Sequence, residues 1–379
     1  MTGTTNLPGP SRRAVLAAAG LGAIAIPSVA HAAPRPSGLG PLSVTATPDT
    51  QLNAMFTNYG NTGGQWVGAD STYSVRLKDG RTAWVFSDTI YGDVVNGTLS
   101  PTDSFFINNS IIVQDGQKLS TVTGGTSDHP EAIVGMDGDA WHWFGAAQTR
   151  PNGDVQIGVL RFERFGTGAW DWGWKSNRLV TLDRRTLKPR SVTPLPSAAG
   201  VQWASWFLQQ PGVTYVYGVE DLGASKYMHL ARVRSGDLSS TGKWEYWTGS
   251  GWSRTETDSA RIIVGVSNEY SVTAFGGGYL LITQDTNELF SSRILAYRSD
   301  SLTGPFVDPI EVYRMPEVGP FGSYGDPNIF GYNPHEHPEL RRGNELVISY
   351  NINTFDNMAI YDDVTIYRPR FIRATFTHR

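Results

Sequence analysis

The chain carries carboxylates, imidazoles and amides at recurring places beside short β-type runs. Asp70 follows Gly68-Ala69, Asp88 stands in Phe86-Ser87-Asp88-Thr89, Glu220 precedes Asp221, and Glu269 lies in Ser267-Asn268-Glu269-Tyr270. His129 and Glu131 flank Pro130, and His335, His337 and Glu339 cluster further on. Amides recur as Asn108-Asn109, Gln284, Asn351 and Asn353. Carboxylates brought together cannot all ionise: one is held protonated while another keeps its charge. Glycoside hydrolysis requires that division, with one carboxylic acid protonating the leaving oxygen and one carboxylate acting as base or nucleophile. Asp70, Glu269, Asp88 and Glu220 are therefore the candidate catalytic residues. Asn109, His129, Glu131, Trp203, Tyr270, His337 and Asn351 are the candidate substrate contacts.

Other chemistries fit less well. The chain has no cysteine and no Gly-x-Ser-x-Gly elbow. His335-Glu336-His337 places alternate residues on one face of a strand, but Pro338 follows and no third ligand stands out. No metal and no cofactor are expected. For any one of these polar residues, turn capping is the competing role. Their coincidence on one face argues for function, and that coincidence depends on the elements that carry them.

Those elements are strands. Beyond about residue 50, short alternating runs of β-branched and aromatic residues are broken by turn residues, with almost no helical period. Tight-turn signals recur at Asp79-Gly80, Asp137-Gly138, Pro211-Gly212, Gly276-Gly277-Gly278 and Gly343-Asn344. Each turn separates two runs, and a third run follows. Five units of about 50 to 75 residues predict an all-β, five-bladed propeller; a β-sandwich is the alternative. Either Leu42–Ala46 or Gln51–Phe56 would pair with the last blade to cover its open edge. In such blades the starts of first strands, the ends of second strands and the starts of third strands share one face, where the acids fall. The opposite face receives the turns. Trp66, Tyr73, Trp203, Trp206, Tyr270 and Tyr350 are candidate sugar platforms, with core packing as the competing role; Trp170, Trp172 and Trp174 read as outer-blade packing.

Residues 1–33 read as an export signal. Ser11-Arg12-Arg13 precedes a soft apolar run and Ala30-His31-Ala32, a twin-arginine pattern, with an ordinary secretory signal as the alternative. Residues 34–50 read as a linker and 51–379 as the propeller domain. Export predicts a secreted protein that does not stay in the membrane. A formal net charge of −4 with no basic tract excludes nucleic acid as a partner. The expected partner is a polysaccharide or oligosaccharide, and the expected state is a monomer.

Several segments resemble secreted actinobacterial proteins of the domain-of-unknown-function 4185 and 5005 families. They are Gly68-Ala69-Asp70-Ser71-Thr72-Tyr73, Phe86-Ser87-Asp88-Thr89, Tyr217-Gly218-Val219-Glu220-Asp221, Ser267-Asn268-Glu269-Tyr270, His337-Pro338-Glu339-Leu340 and Tyr367-Arg368-Pro369-Arg370-Phe371. The first group includes D-arabinan hydrolases, and both are similar to the five-bladed family 43 glycosidases. That resemblance implies a first-blade Asp at Asp70 and a later Glu at Glu269. Asp88 or Glu220 would tune the acid, and either Asp70 or Asp88 could be the working carboxylate. The implied activity is hydrolysis of a furanose-containing polysaccharide such as arabinan or arabinogalactan. A non-catalytic carbohydrate-binding propeller and a structural, partner-binding propeller are the competing readings.

Overall fold

The computed structural model describes residues 41–378 apart from 63–64 and 169–170. The export signal expected over 1–33 lies outside the described residues. The described chain is dominated by antiparallel strands. Five sheets of four or five strands follow one another along it. The first contains Tyr73–Arg76, Thr82–Phe86, Ser110–Asp115 and Lys118–Val122; the second begins at Trp141–Thr149, the third at Gln202–Gln210 and the fourth at Ser271–Phe275. The fifth is built from Ile329–Glu336, Glu345–Thr354 and Arg370–His378, and the N-terminal strand Leu42–Pro48 completes it. Leu42 pairs with His378 and Pro48 with Ile372, so the last strand's open edge is covered. Of the two segments expected to do this, Leu42–Ala46 is the one that does. The last residues of the expected linker, 42–48, form this strand instead.

Gln51–Phe56 is helical instead, within Thr50–Thr62. Asp49 caps the helix: its Oδ1 accepts from the backbone N–H of Gln51 and Leu52, at 3.1 and 3.0 Å. Leu52 and Phe56 turn inward, and Phe56 packs edge-on against Trp66 and Trp84 and beside Phe371.

First strands lie next to one another around the molecule. Trp141–Thr149 flanks Tyr73–Arg76 on one side and Gln202–Gln210 on the other. Ile329–Glu336 reaches back to the first sheet, where His335 Nε2 meets the Thr72 carbonyl at 3.2 Å and His337 Nδ1 meets Ser74 Oγ at 2.5 Å. Buried polar side chains fasten neighbouring sheets through backbone groups, which satisfies amides that burial would otherwise orphan. Asn109 donates to the Val134 and His142 carbonyls and accepts from Val134 N–H. Asn177 donates to Val201 O and accepts from Trp203 N–H. Gln284 donates to Gly331 O, and Asn351 donates to Thr72 Oγ1.

One turn was misplaced by the sequence pattern. Asp137-Gly138 forms only an isolated bridge between Asp137 and Ala140. The second sheet's own hairpin turns at 150–154, between Trp141–Thr149 and Val155–Arg164, so Gln156–Phe162 is a second strand rather than a third. Asp-Gly and Asn-Gly both supply the positive φ a turn needs, and here both do, at Gly138 and Gly153.

Candidate active site

Asp70 and Asp88 face each other across a hairpin. Ala69 pairs with Thr89 and Tyr73 with Val85, a register that sets Asp70 opposite Asp88. Their backbones are bonded: Asp70 N–H donates to Asp88 O and Ser87 N–H donates to Asp70 O, both at 3.1 Å. Asn108 is the next in line, because Thr89 pairs with Ile107 and Phe86 with Ser110. The hairpin breaks here into two sheets, Trp66–Ala69 with Thr89–Tyr91 and Phe105–Ile107 on one side and the first large sheet on the other. The cause is a pair of left-handed residues, Ser71 at φ 69° and Thr72 at φ 45°. A β-branched residue there is strained. Asn351 on the Thr72 hydroxyl and His335 on its carbonyl hold it in place.

The kink turns Ser71 toward the fourth sheet. Its hydroxyl donates to Glu269 Oε1 at 2.6 Å. Glu269 Oε2 is buried without a hydrogen-bond partner and lies 3.8 Å from His335 Nδ1. His335 Nε2 faces a carbonyl, so Nε2 carries the proton and Nδ1 turns its lone pair toward Glu269. His335 stacks on Tyr73 at 4.1 Å between ring centroids, and burial pushes its pKa down to about 4.

Each carboxylate has distinct surroundings. Asp70 Oδ2 accepts from the Tyr332 hydroxyl at 2.9 Å, the Tyr367 phenol is a second neighbour that favours its charged form, and Oδ1 is buried without a partner. Asp88 Oδ1 accepts from Trp143 Nε1 at 2.6 Å and from Asn108 Nδ2 at 2.9 Å. Burial raises all three carboxyls. Asp70 is pushed up to about 6 against the opposing pull of its two phenols. Asp88 goes well above the usual range, through burial and then the Asp70 charge. Glu269 also goes well above it, through burial and the Asp70 charge, opposed by Ser71. None of the three is paired with Arg or Lys among the described residues. All three residues are half-buried. Asp70 is the least raised of the three and so the first to ionise, while Asp88 and Glu269 hold their protons to higher pH, an order that suits a base-and-acid arrangement.

Other candidates fall elsewhere. Glu220 is bound by Arg261, at 2.6 and 3.0 Å, and approached by His229 at 3.4 Å. Arg261 holds its carboxyl below the usual range. These three residues line a separate cavity of about 440 Å³ with Ser259 and Thr257. Asn109 and Asn351 are spent on backbone and on Thr72, so they are fastenings rather than sugar contacts. Trp203 and Tyr270 are fully buried, with Trp203 Nε1 on Glu256 and the Tyr270 hydroxyl on Gly218 O. His337 is fully buried between Trp84, Phe371 and His335. These last three are core positions. His129 and Glu131 are exposed on the hairpin Gly124–Gly125/Pro130–Glu131, with His129 edge-on to Phe105, so they do not start a first strand. The metal reading of His335-Glu336-His337 also lapses: Glu336 is clamped by Arg341, and the two imidazoles serve Thr72 and Ser74.

Ser71, Trp143, Tyr332 and Tyr367 are functional neighbours that the sequence pattern did not single out. Of these, Trp143 could have been found from its place at the start of a strand on the acidic face. Trp66 and Tyr73 are fully buried, and Trp206 and Tyr350 are buried. Trp172, expected in outer packing, instead meets Trp143 with centroids 5.4 Å apart; Trp170 lies outside the described residues.

Among solved structures, a protein of Bacteroides ovatus ATCC 8483 provisionally called a hydrolase is similar at 23% identity. It covers 87% of this chain and 90% of its own, with a TM-score of 0.71. A family 43 β-1,3-galactosidase is similar at 11% identity, covering 83% of this chain and 92% of its own, TM-score 0.48. An α-L-arabinofuranosidase from Podospora anserina is similar at 10% identity, covering 83% and 93%, TM-score 0.44. The chain has no match among curated protein sequences. The family model described as "Domain of unknown function (DUF5005)" matches residues 49–375, from the cap of the first helix to the last strand and across every residue of the carboxylate cluster, and the chain belongs to that family.

Proposed function

We propose that the protein is a glycoside hydrolase. Ionised Asp70 acts as base or nucleophile and protonated Glu269 protonates the leaving oxygen. The observation that carries this reading is three half-buried carboxyls, none paired with Arg or Lys among the described residues and coupled through the Asp70 charge, whose environments separate their protonation. Had they been tied to arginines, as Glu220 is, a non-catalytic carbohydrate-binding role would be the better account. Tyr332 and Tyr367 keep Asp70 the easiest of the three to ionise. The Asp70 charge in turn keeps the proton on Asp88 directly opposite. Neutral His335 beside Glu269 adds no charge to draw that proton away.

The five consecutive sheets, with neighbouring first strands and a last sheet completed by the N-terminal strand, support a five-bladed propeller. The paired arginines and small-residue cleavage pattern support export through the twin-arginine route as a secreted monomer. The substrate class we favour is a furanose-containing polysaccharide of arabinan or arabinogalactan type. Incubation with plant and mycobacterial cell-wall polysaccharides, followed by analysis of released sugars, tests the activity. Asp70→Asn and Glu269→Gln are each expected to abolish release while leaving the fold intact. Full activity in both variants would refute the assignment.

A further inference from the structure

Two aromatic walls rise from the carboxylate cluster, one on each flank. On the second sheet, Trp143 is bonded to Asp88 and packs with Trp141 at 6.1 Å and Trp172 at 5.4 Å, over the buried Phe162 at 4.3 Å. On the fifth sheet, Tyr332 is bonded to Asp70 and packs on Phe330 at 5.5 Å. Phe330 stacks on Phe355 at 4.6 Å, and Phe290 closes the group at 4.9 Å from Phe355. The first sheet, at whose edge the hairpin carrying both aspartates divides, lies between these two sheets. The walls therefore stand on opposite sides of Asp70 and Asp88.

Their chemistry is matched. The indole N–H of Trp143 and the hydroxyl of Tyr332 are turned to the carboxylates, so both rings offer carbon faces to what lies beside them. Trp141, Trp143, Trp172, Phe330 and Phe355 are half-buried, and Phe290 is exposed. Flat carbon faces next to acceptor oxygens suit a sugar, which has apolar C–H faces and hydroxyl edges. A cluster of acids without a cation partner disfavours an anionic chain.

We propose that the two walls are sugar-stacking subsites on either side of the cleaved bond, so that the substrate is a neutral glycan chain held by at least one residue on each flank. This rests on the hydrolase reading for the position of the bond, but binding can be tested without cleavage. In an Asp70→Asn background, mobility is measured in native gels containing arabinan, arabinogalactan or xylan. Trp141→Ala and Phe355→Ala are each expected to weaken retardation by about tenfold, a stacking-sized loss. Trp141→Phe and Phe355→Leu, with thermal unfolding curves, separate loss of the ring from loss of the fold. In the active protein the same changes are expected to raise KM for the polymer by about tenfold. Retardation by none of the three glycans, or loss confined to one wall, would overturn the proposal. Wall-dependent binding without any sugar release would sink the hydrolase reading alone; hydrolysis with unchanged KM in both variants would sink the subsites alone.

Discussion

The Asp70→Asn substitution is expected to stabilise the protein above neutral pH, and the size of the effect follows from the site. Asp70 titrates at about 6 in the folded state against an ordinary 3.8. The raised value means that the folded chain binds a proton which the unfolded chain has already released. Stability therefore falls as pH rises from about 4, and the full penalty is present above about pH 6. A difference of about two pKa units corresponds to ~3 kcal/mol. Asparagine removes the charge and keeps the shape and one acceptor for Tyr332. The weaker acceptor of a neutral amide offsets about 1 kcal/mol of the gain. The net expectation is a gain of roughly 1–3 kcal/mol at pH 7.5, fading to about zero near pH 3.5. Guanidinium unfolding of both proteins at the two pH values reads the difference directly. A destabilised variant at pH 7.5, or a difference of the same size at both pH values, would refute the reasoning. The first outcome would mean that Asp70 is a structural acceptor; the second, that its folded pKa is ordinary. A gain confined to neutral and alkaline pH, combined with lost activity, marks a group kept for chemistry at the expense of stability.

Ser71→Ala removes the donor that lowers the Glu269 pKa, so Glu269 should hold its proton further up the pH scale. The alkaline limb of kcat/KM is expected to move upward, read from a pH–rate profile; an unmoved limb would detach Glu269 from the acid role. Asn109→Ala leaves one backbone donor and two carbonyls without their side-chain partner, and should cost ~2–4 kcal/mol in denaturant unfolding with KM unchanged. A raised KM at full stability would restore Asn109 as a substrate contact. Glu220→Gln gives up a half-exposed pair with Arg261 and is expected to cost no more than ~1 kcal/mol, with polysaccharide hydrolysis at the wild-type level. A large fall in hydrolysis would return Glu220 to the catalytic set.

The all-β class and four of the five hairpin turns were legible because glycine and proline punctuate the strands. Strand order set Asp70 and Asp88 beside one another, whereas Glu131 and Glu220 fall elsewhere. The chain also holds a sharper clue. Asp70 and Asp88 are equidistant from Asp79 in the Asp79-Gly80 turn, so counting outward from that turn sets them opposite each other. Two carboxylates directly across a hairpin are unfavourable and call for a reason. The first helix went unread: Gln51–Phe56 was expected as a strand, although Leu52, Met55, Phe56 and Tyr59 follow a helical period after the cap residue Asp49. Burial was what residue order could not supply. Trp203 and Tyr270 sit near strand ends like Trp143 and Tyr332, and only the side on which each strand packs separates core from site. Asn109 and Asn351 show the same limit for amides, since a buried fastening and a sugar ligand carry the same side chain.

The site depends on interruptions of regular β structure more than on any motif. Ser71 and Thr72 adopt left-handed backbone where the first hairpin would otherwise continue, and Asn333 does so, at φ 55°, between Tyr332 and His335. Register shifts there too, between Tyr332 and His335 in the pairing with Glu345–Thr354. An unbroken strand would keep alternate residues on fixed faces. These interruptions allow Tyr332 and His335, an odd number of residues apart, both to reach the cluster, and they bring Ser71 onto Glu269 from a different sheet. The two interruptions are coupled, because His335 holds the Thr72 carbonyl and Asn351 holds the Thr72 hydroxyl. The strain at Thr72 therefore persists only while the fifth sheet is docked on the first. The last strand of that fifth sheet pairs with Leu42–Pro48, so the segment nearest the start of the described chain supports the sheet on which the geometry of Asp70, Ser71 and Glu269 rests.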